Sequence, residues 1–300
     1  MKNSFRLKAD AMFTRGEELE REAPLRILFL SVEGNDTERN YFEWVEKYRE
    51  QLGIKAKVHV HSLGRAKNDN LSAPEYVLEL LEEYIEVREA EILPERMRAV
   101  IPVEYTDEFI EQYIKNPETL DTTRRKKFEI LLRQAGIDIE YNYFLKEYSG
   151  KYDEFGVVID RDHGTHSVTQ MNEIRKQCEK KNYHFYITTP CIEFWLLMHL
   201  TDICGEYKDD IQKFRDNKRK SQKHTFTSYE VSKRAGHSKK ISEEIFKKFY
   251  LPKIDYAIQQ TKKYFTTNIY ELIGTDETED AKKGKLGSNL PDLFGLLRRM

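Results

Sequence analysis

Three carboxylates in this 300-residue chain stand where carboxylates can act together. Glu33 follows the apolar run LRILFLSV (25–32) and precedes Gly34, while Asp160 and Asp162 follow EFGVVI (154–159) as Asp-Arg-Asp. Side chains at i and i+2 of an extended segment lean to the same side, so Asp160 and Asp162 can face one ligand. Carboxylates forced together repel and raise one another's pKa, which makes a divalent cation their natural counter-charge. An all-oxygen ligand set favours Mg2+ or Mn2+. Such an ion activates water and stabilises charge on an attacked phosphate. The spacing therefore nominates Glu33, Asp160 and Asp162 as metal ligands and catalytic groups. The ordinary alternative for each is an acid that caps a helix. The occurrence of both motifs, each behind an apolar run, favours a site.

The elements that must position these acids read as an α/β fold. Residues 25–32 form a buried parallel strand. Tyr41, Phe42, Val45 and Tyr48 then recur at helical spacing after the capping cluster Asn35-Asp36-Thr37. Residues 57–63 form a second strand, followed by the basic loop GRAKNDN and a capping-box start at Ser72-Ala73-Pro74-Glu75 for a helix to about Glu89. Helical segments around 109–113, 126–132 and 141–148, punctuated by Pro94, Pro102, Pro117 and Gly136, read as an insertion. Strand 154–159, helix 167–181, strand 183–187 and the apolar helix CIEFWLLMHL resume the βαβ rhythm of a Rossmann-like, mostly parallel sheet flanked by helices. Ligands bind such sheets at the carboxyl ends of the strands, where Glu33, Asp160 and Asp162 fall. The expected organisation is an N-terminal extension (1–24), an α/β core (25–91 and 152–200), a helical insertion (92–151) and a basic, mainly helical C-terminal region (201–300). Residues 274–289 read as a flexible loop.

A formal net charge of −2 does not itself announce a polyanion partner. The charge is segregated, however. Acids dominate from Glu75 to Glu118, whereas Arg215, Lys218, Arg219, Lys220, Lys223, Lys233, Arg234 and Lys239 crowd the stretch 213–240. Phe214, Phe226 and Tyr229 interleave with these cations, a mixture suited to phosphate contacts and base stacking. Lys218, Arg219 and Lys220, with Arg65 and Lys67 in the loop after the second strand and Arg161 between the two Asp, are the candidate nucleic-acid contacts. A solvated surface or a structural ion pair is the plain alternative for each. Cys178, Cys191 and Cys204 make no C-x-x-C pair, which fits a reducing compartment and argues against a disulfide framework or zinc knuckle. With no apolar leader and no run of membrane-span length, the expected location is the cytoplasm. No G-x-x-x-x-G-K-[ST] or G-x-G-x-x-G occurs, so nucleotide hydrolysis would belong to a partner. DRDHGT differs from the D-x-D-G-T loop of dehalogenase-like phosphatases by the inserted His163 and by its mid-chain position.

The order strand-Glu-Gly, then strand-Asp-x-Asp resembles the TOPRIM domain of topoisomerases, primases and several nucleases. More narrowly, FLSVEGNDTERNYFEWV, FGVVIDRDHGTH and TTPCIEFWLLMHL resemble the three blocks of the RloB-like family, across roughly residues 25–200. The departures are Thr189 where the family has Asn, and hydrophobic exchanges at Ile192 and Phe194. The resemblance implies a TOPRIM-type Mg2+-dependent endonuclease acting on RNA, tRNA included, or on DNA. It also implies an ABC-class ATPase partner and a setting in restriction or phage defence. It nominates Glu193, in the first turn of its helix where an anion is favoured, and Glu38, one turn into the first helix. His163 is a candidate proton shuttle. A non-catalytic, TOPRIM-like binding subunit of an ATPase complex is the alternative, and self-association is left open.

Overall fold

The computed structural model describes residues 26–34, 36–54, 58–63, 74–89, 93, 95–135, 153–236 and 240–299. Its apolar runs pair as read: β1 (Arg26–Val32), β2 (Val58–Leu63), β3 (Glu154–Asp160) and β4 (His184–Thr189) are parallel, and β5 (Gly287–Ser288) adds antiparallel to β4. The order is β2-β1-β3-β4-β5. From β1 the chain steps to β2 on one side and later to β3 on the other, so a crevice opens between the carboxyl ends of β1 and β3.

Alternation along the strands divides the core in two. Ile27, Phe29, Val157, Ile159, Phe185 and Ile187 face one layer. That layer includes α2 (Pro74–Glu89), α3 (Asp107–Lys115), α4 (Thr122–Ala135) and α5 (Val168–Lys180). Leu28, Leu30, Val32, Val158 and Tyr186 face the other layer, with α1 (Thr37–Lys47), α6 (Ile192–Leu200), α7 (Phe226–Ala235), α8 (Ile254–Tyr264) and α10 (Leu290–Arg299). Phe128 lies between Tyr105, Phe109 and Tyr113, with ring centroids 4.7, 5.2 and 5.1 Å away, and the described part of the insertion thereby joins the first layer. Its expected helix at 141–148 lies outside the described residues, as does Ser72 of the capping box.

Two expectations change. Asp36 holds the N-cap position of α1 without a side-chain cap, whereas Ser167 and Gln170 make a full capping box on α5. Residues 274–289 are tied into the sheet instead of forming a loose loop. The Asn289 amide accepts from Ile187 N–H (2.7 Å) and donates to the Phe185 carbonyl (2.8 Å), so it satisfies main-chain groups of β4. The short helix α9 (Ile269–Ile273) packs beside β4, and the Thr189 hydroxyl donates to the Leu272 carbonyl (2.9 Å). The C-terminal third thus shares one core with the sheet. None of the helices among the described residues is long and apolar enough to cross a membrane.

Candidate metal and catalytic site

Glu33 continues the β1–β3 ladder by one step: its N–H reaches the Val158 carbonyl at 3.2 Å, and its Oε2 accepts from Asp160 N–H at 3.1 Å. The β3–β4 ladder likewise runs past the strand ends, with Arg161 N–H on the Thr188 carbonyl and Asp162 N–H on the Pro190 carbonyl, both 2.9 Å. This brings the start of α6 against Asp160. The α6 N-cap, Cys191, makes no side-chain cap, and the Asp160 Oδ1 accepts from Ile192 N–H (2.8 Å) in its place. Asp160 does cap a helix, as the ordinary alternative held, but one reached only after another strand.

Two further acids converge here. Glu38, on the first turn of α1, is buried. Its carboxylate lies against Gly34 so closely that a Cβ there would stand 2.0 Å from Glu38 Oε2 and would push that carboxylate aside. Burial first, then the charges of Glu193 and Glu33, push the Glu38 carboxyl up to about 8. Asp160 is also raised well above the usual carboxylate range, by burial and then by Glu38, Glu33 and Glu193. Glu38 is thus a protonated acid inside the cluster. In the tightest group, ligand atoms of Asp160, Cys191 and Glu193 all lie within 4.8 Å of one another. That donor set suits a divalent cation, which would neutralise acids that otherwise repel. It also departs from the all-oxygen set expected, because one donor is sulfur.

The remaining candidates separate. Asp162 is exposed and is not among the acids that shift Asp160, although its charge does act on Cys191; its carbonyl accepts from Thr165 and His166 N–H (both 2.9 Å), turning the chain so that it sits at the rim of the cluster. Arg161 is a correction: it is 1% exposed and touches no open surface. Its guanidinium donates to the carbonyls of Ile273 (2.7 Å), His166 (2.6 Å) and Lys282, so it clamps 273–282 to the Asp-Arg-Asp turn and cannot contact a phosphate. His163 is half-buried, and burial, Arg161 and Lys283 lower its pKa, leaving it neutral near pH 7. His166, which follows the same Asp-Arg-Asp motif, holds the closer position, with Nε2 3.4 Å from Glu33 Oε1.

Lys218, Arg219 and Lys220 occupy a tight turn, not a helix. Arg219 bridges Thr225 antiparallel, and Lys220 N–H reaches the His224 carbonyl at 2.9 Å. Lys218, Arg219 and Lys223 are exposed. Lys220 is exposed too, but it pairs with Glu230 (3.3 Å) and lies 3.7 Å from the Tyr229 ring centroid. Phe214 is fully buried and cannot stack on a base, and Phe226 packs at the edge of the core, which leaves Tyr229 as the exposed aromatic of the three. Arg65 and Lys67 lie outside the described residues.

The base of this turn touches the acid cluster through Asn217, which adopts the left-handed conformation (φ 38°). Its Oδ1 accepts from Thr227 N–H (3.1 Å) and the Thr227 hydroxyl (2.8 Å), and its Nδ2 donates to Cys191 Sγ at 3.5 Å. Cys191 lies in the TTPCIEFWLLMHL block, but nothing in the sequence ties it to Asn217; only the fold joins the two.

Among protein-family models, the one described as RloB-like protein matches residues 28–275. No curated protein and no solved structure gives a match.

Proposed function

Because the chain belongs to the RloB-like family, we propose that it is a divalent-cation-dependent nuclease that cleaves phosphodiester bonds in RNA or DNA. The observation that carries this reading is the convergence of Glu33, Glu38, Asp160 and Glu193 at the switch-point crevice, beside a basic turn. Without a cation these acids are frustrated, and Glu38 keeps its proton at neutral pH. Asp160, Glu193 and Cys191 would hold the ion, with Glu33 next to them. A divalent cation supplies Lewis-acid stabilisation of the phosphate and lowers the pKa of water.

The chain's own groups arrange the rest. The N-terminus of α6 directs its positive end at the crevice and favours an anion there. His166 fixes the Glu33 carboxylate by the contact at 3.4 Å. Lys218, Arg219 and Lys223 are exposed cations of the turn that Asn217 joins to Cys191, and in this proposal they would contact the phosphate backbone. The resemblance of the sequence blocks adds an ABC-class ATPase partner and a role in phage defence to this proposal. Asp160 and Glu33 also bond main-chain N–H groups, an arrangement equally suited to a non-catalytic subunit of an ATPase complex.

Cleavage separates the two. Wild type, Asp160→Asn and Glu193→Gln proteins are incubated with supercoiled plasmid and with total cellular RNA, in Mg2+, Mn2+ or EDTA, with and without an ABC-class ATPase encoded beside the gene. Cation-dependent cleavage by wild type, reduced at least ~100-fold in either variant, is the expected result, and the degraded pool names the substrate. Absence of cleavage under every condition, with melting curves showing folded protein, would favour the binding subunit.

A further inference from the structure

The sulfur at the crevice makes a claim about which cation belongs there, and this claim rests on the metal site proposed above. We infer that Cys191 is an inner-sphere ligand of the bound cation and biases the site toward borderline and softer divalent ions, such as Mn2+, Co2+ or Zn2+, over Mg2+. Its Sγ stands within 4.8 Å of carboxylate oxygens from both Asp160 and Glu193, so one ion can reach all three. Cys191 is buried and forms no disulfide, and its side-chain hydrogen-bond partners are the Glu193 carboxylate, itself in the ligand group, and the Asn217 amide. Mg2+ takes oxygen ligands and gives up its water reluctantly, whereas thiolate selects softer metals.

A second observation points the same way. The Asn217 amide can have only one orientation: Thr227 N–H can only donate, so the atom facing it must be Oδ1, and the amide NH2 is left aimed at Cys191 Sγ. A fixed donor directed at a ligand sulfur is the outer-shell arrangement that orients metal-bound thiolates. A cysteine serving only as core filling would need no such donor. The other cysteines stand elsewhere: Cys178 is buried in the opposite layer, and Cys204 lines, with Arg215, a cleft whose lining includes none of Asp160, Cys191 and Glu193.

The test uses the full chain, stripped with chelator and titrated with Co2+ while near-ultraviolet and visible absorption are followed. A sulfur-to-cobalt charge-transfer band is expected in wild type, retained in Cys178→Ala and Cys204→Ser and lost in Cys191→Ser. In calorimetric competition, Cys191→Ser should lose ~10–100-fold in Mn2+ affinity with little change in Mg2+ affinity, so that the preference narrows. The wild-type band needs no variant to fold, and a melting curve confirms that Cys191→Ser does. Co2+ binding without that band, or an unchanged Mn2+-to-Mg2+ ratio in Cys191→Ser, would overturn the role of Cys191 while leaving the carboxylate site standing. Failure of wild type to bind any divalent ion would remove both this inference and the nuclease reading.

Discussion

Arg161 stands between two acids in the chain and looks placed for a phosphate, but the fold assigns it three main-chain carbonyls in the interior. Burial lowers its pKa to about 10, which still leaves it charged at neutral pH. Arg161→Gln should therefore act on stability: it strands carbonyls at ~1–3 kcal/mol each, and with partial relaxation the loss in a denaturant melt should be about 3 kcal/mol. Normal melting with selectively weakened nucleic-acid binding would restore Arg161 as a phosphate contact. The residue scale also shows what local reading reaches. Glu33 and Asp160 could be placed because each ends an apolar run and strand ends converge in a parallel sheet. Asp162 stands at the rim, because i and i+2 share a side only while the strand continues, and here the chain turns at Asp162 through its bonds to Thr165 and His166. Asn217 and Cys191 meet only through a left-handed residue at the foot of a turn, which leaves no trace in spacing.

Helix α6 works at both of its ends. Its first turn presents Glu193 to the crevice, and its body carries a closed polar circuit inside the core. The Trp195 indole N–H donates to the Tyr41 hydroxyl (3.0 Å), that hydroxyl meets His199 Nε2 (3.1 Å), and His199 Nδ1 donates to the Trp195 carbonyl (2.9 Å). The circuit requires neutral His199, and burial lowers its pKa to about 4. Its folded pKa thus lies below the unfolded value of ~6.5. The stabilisation is complete above that unfolded value and is lost as pH falls toward 4, because the unfolded chain takes up the proton first. Relative to His199→Phe, wild type should lose about 3 kcal/mol between pH 6.5 and 4, read from urea melts at several pH values. A constant difference across that window would show that His199 does not titrate differently in the folded state. Elements of this length and apolarity were legible because burial demands their pattern. β5 was not, since Gly287-Ser288 has no periodicity and is recruited by Asn289 bonding to β4.

Over the whole molecule, the charge segregation visible in the sequence is carried by particular elements. The acid-rich helices α2 and α3 cover one layer, and the basic turn leading into α7 belongs to the other, next to the crevice. The same first layer carries α4 with Arg124, Arg125, Lys126, Lys127 and Arg133, so the net charge of −2 hides local patches of either sign, and the basic turn is a patch beside the crevice that can attract a polyanion before contact forms. If the turn holds phosphates, its cations release counterions on binding, and the logarithm of affinity falls with the logarithm of salt by ~0.7–0.9 per phosphate neutralised. Replacing Lys218, Arg219 and Lys223 together by Ala in a Glu193→Gln background, with EDTA to prevent cleavage, should flatten that slope by about 2–3. The weakening should be similar for unrelated sequences, since phosphate contacts carry no base information. Lys220→Ala should change the slope far less, because its ammonium is already engaged by Glu230 and the Tyr229 ring. An unchanged slope in the triple variant would mean that nucleic acid reaches the crevice by another route, and that the basic turn faces a protein or solvent instead.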